Sequence, residues 1–521
     1  MSFLNLISFF GIFGLCAIAW LFSENRHPRY FPWRVVIAGL LLQFVLGALV
    51  FIVPGTRDLL QVFSTLLNVL FEAADAGARF IFGGILVPPP GEETLLLAPL
   101  VQGEVCSNST VGEVISGYCG VRLGYIFALR ALPTVIFFSA LVALLYNLGI
   151  LQVITKIFAQ IFYRTMRLSG AESLSGASNI FVGIESAIVV RPFLPKMTRS
   201  ELCTILACCF GTTASSVLAL YSAFLRPVFP NILGHLVSAS IMAIPACFLL
   251  SKILIPETQT PLTAAGIPDE TRAAQLDPEG NYGEAEHLSP MDATVAGAWD
   301  GLKMAASIVA VLIAVLGLVY LINQFFVALA NLADSNIGFL QPIGQLFRYV
   351  TIQNILGALF LPLTLLTGVS LSWNELWQSS VLIGQRLFLT EVPSYQDLAV
   401  LTQLPAETRV LTDRALLIVS YALSGFAHLA SVGIFVGGIS ALAPTRRKEI
   451  VSLAWKALFV GTLATYMIAC IAGVFDTGSP TILGRPADAP SPATPSPAPA
   501  TPSPAPATPS PAPTITPAPS P

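Results

Sequence analysis

Two acids stand in apolar surroundings, each with polar company close by. In NIFVGIESAIVVRPF (Asn179–Phe193), Glu185 follows Asn179 by six residues, is flanked by Ile184 and Ser186, and precedes Arg191. In VLIGQRLFLTEVPSY (381–395), Thr390 and Glu391 end a second apolar run, with Pro393 just beyond. Two further apolar stretches carry polar side chains: FGTTASSVL with the hydroxyls of Thr212, Thr213, Ser215 and Ser216, and YALSGFAHLASVG with His428 and Ser431 beside Gly425 and Phe426. An unpaired carboxylate taken out of water costs several kcal/mol or protonates. Such groups can bind a polar neutral solute or a hard cation, or act as a catalytic carboxylate pair. Against catalysis, the sequence has no aspartate pair in intramembrane-protease surroundings, no Ser–His pairing with a local signature and no metal triad. Blander readings stay open. Glu185 could pair with Arg191 or Lys196, His428 could be a packed residue, and small hydroxyl residues often mean only close helix packing.

Which chemistry applies depends on the solvent. Of 521 residues 55% are hydrophobic and 11% charged, against about 25% charged in an ordinary soluble domain. Apolar runs near the roughly 20 residues a spanning helix needs recur at Phe3–Phe22, Val35–Val53, Ala131–Ile154, Leu202–Phe224, His235–Ser251, Met304–Leu329, Ala415–Leu442 and Ala457–Val474. The chain therefore reads as an all-α polytopic membrane protein with eight spans, and its solvent is the lipid bilayer. Phe3–Phe22 has no basic residue before it and is longer than a signal-peptide core, so it reads as a first span. In a bilayer an ionisable group is a functional-site candidate by default.

Basic clusters at Arg26/Arg29/Arg34, Lys156/Arg164/Arg167, Arg191/Lys196/Arg199 and Arg446/Arg447/Lys448 are cytoplasmic by the positive-inside rule. Both termini then lie outside, on the external or periplasmic side of a plasma (inner) membrane. The alternation closes only if Asn179–Phe193 enters and leaves on one face as a re-entrant hairpin, a backbone tolerated at membrane depth when buried in protein or lining a cavity. Leu356–Ser394 reads as a second such segment. Each hairpin is followed by a long span with polar residues. Paired discontinuous segments in corresponding halves point to the midplane site of a secondary transporter and to inverted repeats.

The expected organisation is 1–125, N-terminal spans with a scaffold region and an external loop; 126–255, a first repeat; 256–303, a cytoplasmic acidic loop; 304–476, a second repeat; and 477–521, a disordered external tail. Asp58–Phe82 has helical period and reads as lying along the interface or packing between subunits. The tail, built on ATPSPAP-like units, has a composition that favours extended polyproline II and cannot bury a core. Of eight cysteines, Cys106 and Cys119 share a polar external loop, where a disulfide is plausible in an oxidising compartment. The other six sit in apolar spans as small packing residues.

At these motifs the chain resembles the concentrative nucleoside transporters, cation-coupled symporters with eight core spans and two hairpins. GIESAI…RPFLPKMTRSEL is similar to the first-hairpin motif, GQRLFLTEV to the second, and ALSGFAHLASVGI followed by GG and APTRR to the seventh span; IPET matches a common turn after the fifth. The likeness runs from about Phe3 to Val474. It implies sodium-driven nucleoside import by alternating access, with a proton as the alternative coupling ion, no cofactor, no nucleic-acid partner and a homotrimer. By position it implies substrate contacts at Glu185, Ile184, Ser186, Glu391, Thr390, Phe426, His428 and Ser431. It further implies sodium ligands at Asn179, Val182, Thr212 and Thr213. The chain departs from the pattern in three places: GIES is one residue short, His428 stands for an Asn, and Thr390 stands for the Asn before the second acid. The ribose side is thus better kept than the base side. A different nucleoside-like solute, or a nucleoside sensor that does not transport, are the remaining alternatives.

Overall fold

The computed structural model describes residues 2–53, 69–70, 72–84, 86–87, 95–99, 111–115, 118–122, 127–183, 186–191, 193–213, 215–267, 289–334, 337, 339–348, 350–404 and 408–485. Two apolar helices open the chain, α1 (Phe3–Leu21) and α2 (Trp33–Phe51), followed by α3 over 72–82. Three short strands, β1 (Leu95–Pro99), β2 (Val111–Ile115) and β3 (Tyr118–Arg122), form an antiparallel sheet of order β1-β3-β2. This small sheet is an addition to the all-helical expectation and occupies the expected external loop. Cys119 lies in β3, and Cys106 falls outside the described residues, as do the tail beyond 485 and residues 268–288 of the acidic loop.

The rest is helical. The first half continues with α4 (Phe127–Asn147), α5 (Ile150–Met166), α6 (Gly170–Val182), α7 (Ser186–Val189), α8 (Arg199–Gly211), α9 (Ser215–Leu225) and α10 (Ile232–Leu254). The second half has α11 (Pro290–Ala330), α12 (Gln341–Phe347), α13 (Ile352–Leu366), α14 (Trp373–Leu389), α15 (Glu391–Gln403), α16 (Asp413–Leu423), α17 (Leu429–Leu442) and α18 (Arg447–Phe475). One order of elements occurs twice: a long helix (α4, α11), a helix leading to a hairpin (α5, α13), the hairpin (α6–α7, α14–α15), a span in two pieces (α8–α9, α16–α17) and an unbroken apolar helix (α10, α18).

Three expected spans are corrected. Ala131–Ile154 is not one helix: α4 and α5 meet at 78°, and the chain turns through Gly149 at φ 79°. Leu202–Phe224 breaks at Thr212–Thr213, where Thr212 is extended. Its hydroxyl bonds back to Cys208 C=O at 2.8 Å, the kind of side-chain competition that unsettles a helix. Ala415–Leu442 breaks between Leu423 and Leu429. The second hairpin also shifts: Ile352–Leu366 is the helix before it, and its arms are α14 and α15, meeting at Thr390.

The unbroken helices α10 and α18 form the buried axis, whereas the apolar stretch Leu316–Asp334 is only 6% buried and faces outward. On one face, α6 and α8 begin with matching capping boxes, Ser169 with Glu172 and Thr198 with Glu201. Each box satisfies two helix-terminal N–H groups that would otherwise be orphaned. Lys252, in the last turn of α10, joins them. Its Nζ lies 2.5 Å from Glu172 and 3.3 Å from Glu257, and donates to Ser200 Oγ at 3.0 Å. Glu172, Glu201 and Lys252 are all fully buried. One lysine thus ties the start of the first hairpin, the start of the broken span and the end of α10 together.

Candidate functional site

The second hairpin delivers Glu391 to the interior. Thr390 at its tip has φ 72° and ψ 173°, a region costly to any residue but glycine and often found at functional sites. Two hairpin side chains explain why α14 and α15 seat against the broken span. Ending α16 early orphans its last carbonyls. Tyr395 Oη donates to Ser420 C=O at 2.7 Å, and the fully buried Arg386 donates from Nη1 to Ala422 C=O at 2.5 Å and from Nη2 to Thr465 Oγ1 at 3.1 Å.

Glu391 is 3% exposed and is held from two sides. Tyr221 of α9 donates to Oε1 at 2.6 Å, and its ring stacks on Tyr395 with centroids 4.4 Å apart. His428 Nε2 lies 2.9 Å from Oε2, close enough for an ion pair though its angle is not that of a hydrogen bond, so Oε2 is left without one. His428 caps α17: its Nδ1 accepts from Ser431 N–H at 3.2 Å, and Ser431 Oγ lies 2.8 Å from Nε2. Because Nδ1 accepts, the ring proton of a neutral His428 sits on Nε2, where Ser431 Oγ at 2.8 Å is its hydrogen-bond acceptor. Phe426 is half-buried, its ring edge-on to His428 at 6.2 Å. The buried Thr390 Oγ1 has no hydrogen-bond partner. Glu391, Thr390, Phe426, His428 and Ser431 therefore converge.

The first hairpin turns at Gly183, φ 64°. Ile184 and Glu185 lie outside the described residues, and with them the alternative pairing of Glu185 with Arg191 or Lys196. Asn179 is fully buried at the end of α6. With its amide oriented to satisfy its neighbours, the nitrogen donates to Gly183 C=O at 3.3 Å and Thr212 Oγ1 at 2.9 Å, and the oxygen faces Ser186 Oγ at 3.1 Å and Cys209 N–H at 3.3 Å. Ser186, expected beside the substrate, lies against the Asn179 amide. Thr213 Oγ1 is buried without a partner. Val182, the last residue of α6, precedes the turn. The two clusters touch through the backbone, since Phe426 N–H donates to Thr212 C=O at 3.2 Å.

Tyr221, Tyr395 and Arg386 were not singled out from the sequence. Arg386 carried a legible signal, a cation within an apolar hairpin arm. The tyrosines carried none, because in an apolar run a tyrosine reads as packing.

A helical membrane protein in which two hairpin tips meet two broken spans is built as a secondary transporter. The chain matches the family described as Na+ dependent nucleoside transporter, N-terminus over residues 10–85 and C-terminus over 235–473, and the nucleoside-recognition Gate family over 128–228. It belongs to the Na+ dependent nucleoside transporters, as its hairpin and seventh-span motifs implied, and is a transporter rather than an enzyme. It is 33% identical to an uncharacterized transporter of Haemophilus influenzae over 90% of this chain and 97% of that protein. It is 31% identical to the nucleoside permease NupC of Helicobacter pylori over 91% and 99%. Among solved structures, CNTnw in an inward-facing substrate-bound state is similar at 33% identity, with a TM-score of 0.72 over 91% of this chain and 98% of that one. A CNTnw variant in an outward-facing state matches at 32% identity and TM-score 0.72, with the same coverage.

Proposed function

We propose that this protein imports ribonucleosides with sodium, that Glu391 receives the ribose hydroxyls, and that Asn179, Val182, Thr212 and Thr213 hold the cation. The observation that carries the sugar assignment is the carboxylate of Glu391, buried at a strained hairpin tip with one oxygen fixed by Tyr221 and the other facing His428. A ribose diol donates two hydroxyls, and a carboxylate is acceptor-only. A substrate lacking those hydroxyls leaves a buried acceptor unpaired, which is a strong basis for rejection. Thr390 Oγ1 and Ser431 Oγ we assign to the remaining sugar oxygens, and Phe426 to an apolar face of the solute. The first-hairpin residues Ile184 and Glu185 we assign to the base side by position alone.

Sodium takes oxygen ligands, and the orphaned hydroxyl of Thr213 beside the Asn179 amide and the Thr212 hydroxyl supplies that donor type. A proton is the second reading, favoured by the approach of His428 to Glu391. We further propose that residues 126–255 and 304–476 are inverted repeats, that both termini are external, that Cys106 pairs with Cys119, and that the outward apolar face of α11 supports a homotrimer in the membrane.

Uptake of radiolabelled uridine into proteoliposomes under imposed sodium or proton gradients tests the reading. Sodium-dependent accumulation is expected, and no uptake across a panel of nucleosides with either gradient would overturn it. Glu391→Gln loses a charge-assisted hydrogen bond worth about 1.5–3 kcal/mol. It should weaken riboside affinity about 10- to 100-fold at unchanged protein abundance, measured by uptake kinetics beside quantitative blotting. Parallel loss of protein and transport would make the acid structural.

A further inference from the structure

We infer that the hydrogen bond between the two helix breaks is the element that couples the cation to the nucleoside, a conclusion that rests on the sodium–nucleoside reading above. The chain of contacts is short. Thr212 presents its hydroxyl to Asn179 at 2.9 Å on the cation side. The carbonyl of the same residue accepts Phe426 N–H at 3.2 Å. Phe426 lies two residues before His428, which faces Glu391 Oε2 at 2.9 Å and caps α17. One residue of the first half therefore touches the cation cluster through its side chain and the nucleoside cluster through its backbone.

Both breaks are irregular backbone, which inside a membrane protein persists only where its polar groups find partners. A cation at Asn179, Thr212 and Thr213 fixes the conformation of the first break. That break then fixes where Phe426 N–H points, and with it the ring of Phe426 and the imidazole of His428. The reverse holds by thermodynamic linkage, because a nucleoside that orders Phe426 and His428 raises the affinity for the cation by the same factor.

The approach of the two breaks depends on the absence of side chains. A Cβ on Gly425 would lie 2.9 Å from Gly211 O, 3.0 Å from Phe210 O and 2.7 Å from Thr465 Cγ2. From the opposite side, a Cβ on Gly461 of α18 would collide with Phe210 Cβ and stand 3.1 Å from Gly211 N. The end of α8 is thus held between the second break and α18 at backbone-to-backbone distance. Gly425 is neither a cation ligand nor a nucleoside contact in the assignment above. Gly425→Ala consequently pushes the breaks apart while leaving both binding clusters chemically intact.

Hydrogen–deuterium exchange on the purified full-length wild type tests the coupling without a mutation. Sodium alone, against potassium as control, should slow exchange in peptides covering 424–431 about fivefold or more, the low end for coupled sites, although that segment holds no assigned cation ligand. Protection confined to 176–216 would overturn the inference and leave the transport reading standing. Protection of neither segment would sink the cation assignment itself, and the inference with it. In parallel, sodium should tighten uridine Kd in the wild type by a factor in the range of about 5–150. That factor should fall towards one in Gly425→Ala, with sodium affinity in the absence of uridine retained. An unchanged factor in a folded Gly425→Ala protein would also overturn the inference. Should that variant not fold, the exchange experiment decides alone.

Discussion

At the scale of single residues the site is organised around acceptors that need partners. Glu391 has one oxygen fixed by the Tyr221 phenol at 2.6 Å, so a ligand meets an oriented carboxylate rather than a freely rotating one. Tyr221→Phe keeps the stack on Tyr395 and removes only the phenolic hydrogen bond. We expect the variant to fold normally, since phenylalanine fills the same space. Its riboside affinity should fall about tenfold, the effect of one hydrogen bond to a charged group, with weakened discrimination against 2′- and 3′-deoxynucleosides. Binding titrations with matched ribo- and deoxynucleosides check this, and unchanged discrimination would show that Tyr221 serves packing alone. Tyr221 stands 170 positions from Glu391 in the chain, and nothing local to YSAFL distinguishes it from a core aromatic. Arg386, by contrast, was legible as a cation among apolar residues, although its partners, carbonyls at a helix end, were not.

At the scale of elements, helix ends are where this fold concentrates its polar interactions. The orphan carbonyls of α16 are met by hairpin side chains, and the N–H groups of α6 and α8 by capping boxes, with Lys252 paired to Glu172 of the first and bonded to Ser200 beside the second. Breaking a buried ion pair by removing one partner typically costs about 3–5 kcal/mol. Lys252→Met should therefore leave Glu172 without its countercharge and lower thermal stability sharply, seen as loss of the monodisperse peak in fluorescence-detected size exclusion. Adding Glu172→Gln to that variant should recover part of the loss, and no recovery would mean that Lys252 acts mainly through Ser200 and Glu257. The S-x-x-E and T-x-x-E patterns of both boxes stand plainly in the sequence. That one lysine reaches both helix starts, through Glu172 and Ser200, is a property of packing alone.

At the scale of the whole molecule, a surface network joins segments distant in sequence. Glu24, in the turn between α1 and α2, pairs with Arg199 at the start of α8 (2.9 Å) and with Lys456 of α18. Burial pushes the Glu24 carboxyl up, but hydrogen bonds and charge from Arg199 and Lys456 outweigh it and hold the group below its usual value. A carboxyl depressed in the folded state adds stability that is complete above its unfolded value and is lost as pH falls through the folded one. The wild type should therefore lose melting temperature on acidification below about pH 4.3, the ordinary glutamate value. Glu24→Gln should start lower and lose less over the same range. The groups are partly exposed, so the effect should be modest and shrink in high salt. Thermal scans across pH at two salt concentrations check it, and parallel curves for both proteins would remove Glu24 from the account.

The sequence by itself determined the solvent, the helical class, the family and most residues that meet at the second hairpin, because a carboxylate or imidazole in an apolar run is too costly to stand there without a partner or a ligand. It misplaced helix breaks and hairpin arms for a related reason. In a bilayer both faces of a helix are apolar, so periodicity carries little information, and a break at Thr212 or Gly425 leaves the composition of the run unchanged. Only the tertiary structure decided that the two breaks are hydrogen-bonded to each other, that Tyr221 of one half holds the acid of the other, and that Ser186 sits with Asn179. Those are contacts between surfaces brought together by packing of the two halves, and no local pattern encodes which buried donor will find which buried acceptor.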